Sequence, residues 1–148
     1  MDKTKLNKHF ILASSSKRRL ELLSQIGVKP DLILSPSINE ETFSKELPRI
    51  YAKRMSLEKN RAFQQKYPES IILTADTVVS VGRRILPKTM DRNMAEECLK
   101  LISGRRHKVF TSFTLYTPHN SFKTKTTQSV IKFKRLHPDE ISYYLSSK

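Results

Sequence analysis

Short apolar runs alternate with amphipathic stretches along this chain, and residues that favour turns separate them. The run 9–13 (HFILA) predicts a buried strand that leads into a serine-rich turn. Apolar residues then recur near helical spacing from Leu20 to Ile26, and Gly27 supplies a stop signal at the carboxyl end. The pattern therefore predicts a strand, a turn and a helix in direct succession.

The middle of the chain repeats this strand–helix pattern. We predict a short strand at 31–34, a polar loop at 36–46 and a helix at 48–66. The next run, 70–75 (SIILTA), predicts a buried strand that ends at Asp76. A carboxylate at the end of a buried strand lies where α/β sheets bind their ligands.

The last part of the chain predicts strands that pair with each other. Long β-branched, partly alternating stretches are typical of paired strands, and an aspartate before an apolar-periodic stretch caps a helix. The predicted elements are a hairpin at 78–86 that turns at Gly82, a helix at 91–103, paired strands at 107–117 and 122–136, and a helix at 138–145. We therefore predict one mixed α/β domain over 1–148, with a twisted sheet flanked by helices.

Composition narrows the class of protein. A chain of 148 residues fits one domain, and its hydrophobic residues, 37% of the total, are clustered enough to form a core. The single cysteine, Cys98, excludes an internal disulfide and a zinc site built from cysteines. No apolar run approaches the roughly 20 residues that cross a bilayer, and no signal-type apolar stretch follows the charged N-terminus. We expect a cytoplasmic protein without a membrane partner.

The charge points to polyanionic partners. Lysine and arginine number 28 against 14 acidic residues, so the formal net charge is +14. Nine basic residues and no acidic residue lie between Cys98 and Pro138. This stretch is either a solvated face of an unusually basic protein or a patch that attracts phosphate groups.

The segment 13–19 (ASSSKRR) lies between the first predicted strand and helix. A helix N-terminus offers unpaired N–H groups, the hydroxyl of Ser14 adds a donor, and the guanidinium groups of Arg18 and Arg19 match phosphate oxygens. The chemistry that suits this segment is the binding of nucleotide phosphates. The alternative is a serine N-cap followed by solvent-facing basic residues, which oppose the helix dipole.

Asp76, which Thr77 follows, is the second candidate for chemistry. A carboxylate here can bind Mg²⁺ or Mn²⁺, or deprotonate a water that attacks phosphorus. The alternative is a turn aspartate that caps the residues after it. Considered one at a time, Glu40 and Lys59 predict solvent-exposed charges, and Lys88 indicates no particular role.

Taken together and in order, six segments resemble the Maf family of nucleotide pyrophosphatases. No segment is specific alone, but their order and spacing through nearly the whole chain make the resemblance specific. The segments are 12–19 (LASSSKRR), 38–41 (INEE), 54–60 (RMSLEKN), 75–79 (ADTVV), 82–88 (GRRILPK) and 101–107 (LISGRRH).

The resemblance implies a Maf/ITPase-like fold and an enzyme that cuts a nucleoside triphosphate between its α and β phosphates. The products are a monophosphate and pyrophosphate, and the cellular task is to remove non-standard nucleotides. It implies that Asp76 accepts the proton of the attacking water, and that Glu40 and Asp76 bind a divalent cation, Mg²⁺ or Mn²⁺. The phosphates would be held by Ser14, Arg18, Arg19, Lys59 and Lys88.

The resemblance also bears on the substrate and on partners. Thr77 and Arg18 resemble the branch of the family that prefers dTTP and UTP, and modified pyrimidine triphosphates would be further substrates. The implied partners are the nucleoside triphosphate and a second copy in a homodimer, with no nucleic acid. Asn39, which stands where the family commonly has aspartate, and the Pro87 and Thr89 neighbours of Lys88 depart from the pattern.

Members of the family continue for about 50 residues beyond the position of Lys148, against a usual domain size of about 100–200 residues. We therefore expect a domain that is incomplete at its C-terminus, with an uncovered strand edge or helix face. Two alternatives stay open. One is an inactive remnant of such an enzyme. The other is a small basic nucleic-acid-binding protein, which the charge favours, although helix-turn-helix, zinc and aromatic RNP signatures are lacking.

Overall fold

A computed structural model describes residues 8–119 and 121–147, which form ten elements in the predicted order. The elements are β1 (Phe10–Ala13), α1 (Lys17–Gln25), β2 (Leu32–Leu34), α2 (Pro48–Gln64), β3 (Ile71–Val81), β4 (Arg84–Leu86), α3 (Arg92–Ile102), β5 (Arg106–Thr117), β6 (Ser121–Lys132) and α4 (Pro138–Ser146). Among the helices in these two ranges, none is long and apolar enough to cross a membrane.

One mixed sheet organises the fold. Its strands follow the order β2-β1-β3-β5-β6, and β4 pairs with the far end of β3. The first three strands of this order are parallel, whereas β4, β5 and β6 run antiparallel to their neighbours. The prediction of a mixed α/β sheet flanked by helices is confirmed.

The prediction that the third strand ends at Asp76 is wrong. Asp76 is the sixth residue of the 11-residue strand β3, and its backbone is in register with Ser112 of β5. The carboxylate is tolerated in mid-strand because a buried lysine neutralises it, so the ladder continues to Val81. The hairpin turn at Gly82 is confirmed, and its φ of +57° is a conformation that favours glycine.

Helix α2 covers one face of the sheet and forms the core with it. Pro48 opens the helix, where the missing N–H of proline has no intrahelical partner to lose. Two apolar clusters pack beneath α2, one around Met55 and Phe110 and the other around Ile72 and Tyr116. A buried polar seam between them consists of hydrogen-bonded side chains of Ser56, Asn60, Thr74, Ser112 and Thr114.

The opposite face and one edge of the sheet are less covered. Helix α1 buries none of its residues, and Ile33 and Phe113 on that face are partly exposed. The edge strand β6 is exposed from 128 to 132.

Candidate active site

The parallel pairing of β1 with β3 brings the serine-rich turn to the centre of β3. Ala13, the last residue of β1, is in register with Thr74. Because β1 ends there and β4 pairs with β3 only from Val79, this edge of β3 is open over residues 75–78, and Arg19 links Ser14 to Ala75 at its start. The carboxyl ends of parallel strands are where such sheets bind ligands.

At this end of β1, a buried ammonium group contacts two carboxylates from separate segments of the chain. Lys59 Nζ of α2 donates to Asp76 Oδ1 at 2.8 Å, and the two side chains are only 6% and 3% exposed. The same ammonium lies 2.6 Å from Glu40 Oε1, whose side chain is 48% exposed. The hydrogen bond from Lys59 lowers the pKa of Glu40 and outweighs the opposing effect of burial.

Lys88 approaches the same carboxylate from the solvent side. The segment after β4 carries it to 3.7 Å from Asp76 Oδ1, with 69% of its side chain exposed. Asp76 is therefore flanked by a buried ammonium on one side and an exposed one on the other.

Arg19 organises a second group on the opposite face of β3. Its Nη1 donates to Ser14 Oγ at 3.1 Å and to the carbonyl oxygen of Ala75 at 2.9 Å, and its Nη2 donates to Thr77 Oγ1 at 3.3 Å. Thr77 Oγ1 also shares a hydrogen bond with Thr111 Oγ1. Burial lowers the pKa of Arg19, although the nearby charge of Asp76 acts in the opposite direction.

The structure thus brings together seven of the eight predicted site residues, in two groups that meet at β3. Consecutive strand residues point to opposite faces, so Asp76 and Thr77 belong to different groups. Arg18 is the exception, because it is exposed on α1 and has no hydrogen-bond or ion-pair partner among the described residues.

A cavity of about 760 Å³ opens beside Asp76, between the 40–46 loop and the β3–β4 hairpin. Glu40, Asp76, Thr77 and Lys88 line it, together with apolar side chains of the hairpin. Ser14, Arg19 and Lys59 are not among the residues that line it. The volume is within the range of small-molecule sites.

Sequence reasoning missed the residues that fasten the 40–46 loop to α2. Tyr51 donates its phenolic hydrogen to the carbonyl oxygen of Glu40 at 2.6 Å, and Arg54 binds Glu46. Burial, with a smaller effect of the Asp76 and Glu40 charges, raises the pKa of Tyr51 to about 12. The sequence pattern predicted only the helix that carries Tyr51, and no short-range signal indicated what its hydroxyl binds.

The donor set fits a divalent cation shared with a phosphate ligand. Across 8–119 and 121–147, no group of three or more His, Cys, Asp and Glu side chains could hold a metal ion. However, Glu40 and Asp76 present two carboxylates that contact a single ammonium. Mg²⁺ is commonly bound by one or two carboxylates, with water and substrate phosphates completing its coordination.

A family model described as Maf-like protein matches residues 9–148. The chain belongs to the Maf-like family. This match covers every element of the fold and every residue of the candidate site.

Curated relatives of this Maf-like chain share nearly half of its residues. The nucleoside triphosphate pyrophosphatase of Ehrlichia chaffeensis is 48% identical over 139 residues, which are 94% of this chain and 72% of the relative. The dTTP/UTP pyrophosphatase of Wolbachia pipientis wMel is 48% identical over 141 residues, 95% of this chain and 71% of the relative. The chain thus spans somewhat more than two thirds of the length of these relatives.

Solved structures show the same fold at low sequence identity. A HAM1 protein from Coxiella burnetii aligns with a TM-score of 0.55 and 13% identity, over 82% of this Maf-like chain and 69% of its own. A nucleoside-triphosphatase, or dITP/XTP pyrophosphatase, from Mycobacterium abscessus aligns with a TM-score of 0.51 and 16% identity, over 82% and 70%. At these identities the likeness concerns the fold alone.

Proposed function

We propose that this Maf-like chain hydrolyses a nucleoside triphosphate to the monophosphate and pyrophosphate. One observation carries the proposal: the carboxylate of Asp76 is held between Lys59 and Lys88 at the wall of an open cavity. A buried carboxylate flanked by cations suits a reaction that must both activate water and bind a polyanion. The relatives are named as nucleoside triphosphate and dTTP/UTP pyrophosphatases, which is the same class of activity.

Asp76 serves as the general base. Its Oδ1 accepts from Lys59 and faces Lys88, whereas Oδ2 has no hydrogen-bond partner among the described residues. Oδ2 takes one proton from water as the water oxygen bonds to the α phosphorus. The bond from that phosphorus to the oxygen bridging to the β phosphorus breaks, and pyrophosphate leaves with the electron pair.

The surrounding cations hold the phosphates and offset the charge that develops in the transition state. Lys88 is accessible to the leaving group, since most of its side chain is exposed. Arg19 fixes the hydroxyl of Ser14 beside the open edge of β3. Arg18, free of partners among the described residues, reaches the phosphates from the first turn of α1.

A divalent cation completes the site. Glu40 and Asp76 would hold it, because their carboxylates meet at Lys59. When bound, Mg²⁺ or Mn²⁺ neutralises part of the phosphate charge. The chain's own residues keep the two carboxylates in place.

The preferred substrates are dTTP and UTP. Support comes from the name of the Wolbachia relative and from Thr77, which lines the cavity and accepts a hydrogen bond from Arg19. Thr77 therefore lies at the wall of the cavity in which we expect the nucleotide to bind. Such an enzyme removes unwanted pyrimidine triphosphates from the nucleotide pool.

Pyrophosphate release from dTTP and UTP tests the proposal, with Mg²⁺ or Mn²⁺, and with ATP and GTP as competing substrates. Asp76→Asn is the control, because asparagine keeps the shape and a hydrogen-bond acceptor but cannot accept the proton. We expect release that depends on Asp76 and is fastest with dTTP or UTP. A folded wild-type chain that releases pyrophosphate from none of the four nucleotides would refute the proposed function.

A further inference from the structure

The loop that carries Glu40 has no regular secondary structure, yet the Glu40 carboxylate is held against Lys59. Residues 35–47 between β2 and α2 form neither helix nor strand. A segment of this kind loses conformational entropy when it is ordered, so side-chain contacts must compensate for that loss. Most of the contacts that order it come from one residue, Arg54 of α2.

Arg54 forms a two-pronged ion pair with Glu46, at the end of this loop. Its Nε lies 2.6 Å from Glu46 Oε1, and its Nη2 lies 2.8 Å from Glu46 Oε2. The side chains are only 16% and 5% exposed. Parallel charge-assisted hydrogen bonds of this type fix geometry as well as contributing energy, and only a guanidinium supplies both from one face.

The same guanidinium reaches two further points in the loop. Arg54 Nη2 donates to the carbonyl oxygen of Glu41 at 2.8 Å, directly after Glu40. The guanidinium carbon lies 3.8 Å from the centroid of the Phe43 ring, which is a cation–π contact. One side chain thus holds the loop at 41, 43 and 46.

The loop turn itself depends on these contacts. Lys45 adopts a φ of +60°, a conformation that non-glycine residues rarely adopt. The backbone N–H of Phe43 donates to Glu46 Oε2, the oxygen that Arg54 also binds. Without Arg54, a buried carboxylate would lose its charge partner at a strained turn.

We propose that Arg54 is a positioning residue of the active site, which holds the 40–46 loop so that Glu40 meets Lys59 and Asp76. The inference rests on the proposed function. Arg54 lies outside the residues that line the cavity, so it acts through the loop and not on the substrate. Tyr51 of the same helix holds the carbonyl of Glu40 through one hydrogen bond, whereas Arg54 contacts the loop at Glu41, Phe43 and Glu46.

Hydrogen–deuterium exchange tests the first half of the proposal without any activity. The variant is Arg54→Met, and the matched control is Arg49→Met, because Arg49 is exposed on α2 and has no partner among the described residues. We expect exchange over 38–46 to accelerate about tenfold or more in R54M, since hydrogen bonds to charged groups contribute at least such a factor. Exchange in β3 should stay unchanged. Equal exchange over 38–46 in wild type and R54M would overturn the proposal.

A double-mutant cycle with Glu40→Gln tests the second half. If Arg54 acts through Glu40, R54M lowers kcat/KM by about tenfold or more in the wild-type background but has almost no further effect in E40Q. If R54M and E40Q each lower kcat/KM independently, so that their fold-changes multiply in the double variant, the positioning role is wrong. This holds even if R54M accelerates hydrogen–deuterium exchange. R49M should behave as wild type in both backgrounds.

An inactive wild-type chain and an R54M variant that fails to fold can both be distinguished from a failure of the positioning role. If the wild-type chain hydrolyses no nucleotide, the proposed function fails, while the exchange comparison still decides whether Arg54 holds the loop. If R54M does not fold, Arg54→Lys replaces it. Lysine keeps a charge opposite Glu46 but cannot also bind the carbonyl of Glu41 and stack on Phe43, so the same changes are expected at smaller size.

Discussion

Lys59 Nζ lies 2.8 Å from Asp76 Oδ1, and this contact joins the main helix to the central strand within a nearly solvent-free interior. The pair lets a carboxylate occupy the middle of β3 without ending the strand. It also aims that carboxylate at the cavity, because α2 packs on only one face of the sheet. Packing and proposed chemistry therefore depend on the same two side chains.

Lys59→Met should be more destabilising than the loss of an ordinary surface charge. The substitution leaves Asp76 buried, and among the described residues its remaining ion-pair partner is the exposed Lys88 at 3.7 Å. We expect the free energy of unfolding to fall by about 3–5 kcal/mol, as measured by urea denaturation.

The double variant K59M/D76N separates this charge effect from a packing effect. Removing both charges leaves no uncompensated ion, so the double variant should be more stable than K59M alone. If the double variant is less stable than K59M, the pair contributes through shape and not through charge neutralisation.

Much of the fold could be predicted from the sequence because its elements are patterned locally. Asp91, for example, caps α3 by accepting from the backbone N–H of Met94, as the position of an aspartate before an apolar-periodic stretch predicts. The error at Asp76 has a physical cause. A charged residue is expected to end a buried strand, and its neutralisation by Lys59, 17 positions earlier in the chain, is invisible to local pattern.

In the site too, residues marked by the local sequence pattern could be predicted, whereas residues that act through long-range contacts could not. Residue types and their order pointed to Ser14, Arg19 and Asp76, and the structure places them around one strand. No local signal indicated that Arg54 would hold the loop of Glu40, because Glu46 lies eight positions before Arg54 and outside the helix. Contacts of this kind depend on how a loop folds back on a helix.

Arg18 and Arg19 should respond differently to the same substitution. Arg18 is exposed and without partners among the described residues, so Arg18→Met should change the free energy of unfolding by no more than about 0.5 kcal/mol. Arg19→Met removes three hydrogen bonds and should destabilise the chain by about 1–3 kcal/mol.

Both arginine substitutions should raise KM for dTTP by about tenfold, which is the loss of one charge-assisted hydrogen bond to phosphate. Thermal unfolding and initial-rate kinetics on the same preparations check the two parts. An unchanged KM in R18M would remove Arg18 from the phosphate site.

Acid should weaken the loop contacts through Glu46. The hydrogen bond from Arg54 lowers the pKa of Glu46, so the unfolded chain binds a proton more readily than the folded chain does. The contribution to stability is therefore complete above the usual glutamate pKa of about 4.3 and is lost as the pH falls through the lower, folded value.

Glu46→Gln should flatten this part of the pH dependence. In urea denaturation between about pH 6 and pH 3, the wild-type chain should lose more stability than E46Q, because glutamine has no proton to take up. Parallel curves for the two proteins would show that Glu46 does not titrate differently on folding.

Lys88→Gln should reduce activity while leaving stability almost unchanged. The side chain is 69% exposed and lies 3.7 Å from Asp76 Oδ1, so its ion pair is largely screened by solvent and adds little to folding. Opposite a phosphate chain, the same ammonium offsets charge that develops on the leaving pyrophosphate, and its loss should lower kcat by about 100-fold. Arg84→Gln is the matched control, because it removes one positive charge from the same hairpin outside the cavity that Asp76 faces. An equal fall in kcat for both variants would assign the effect to the overall positive charge of the hairpin, whereas a fall confined to K88Q would assign it to the position of Lys88.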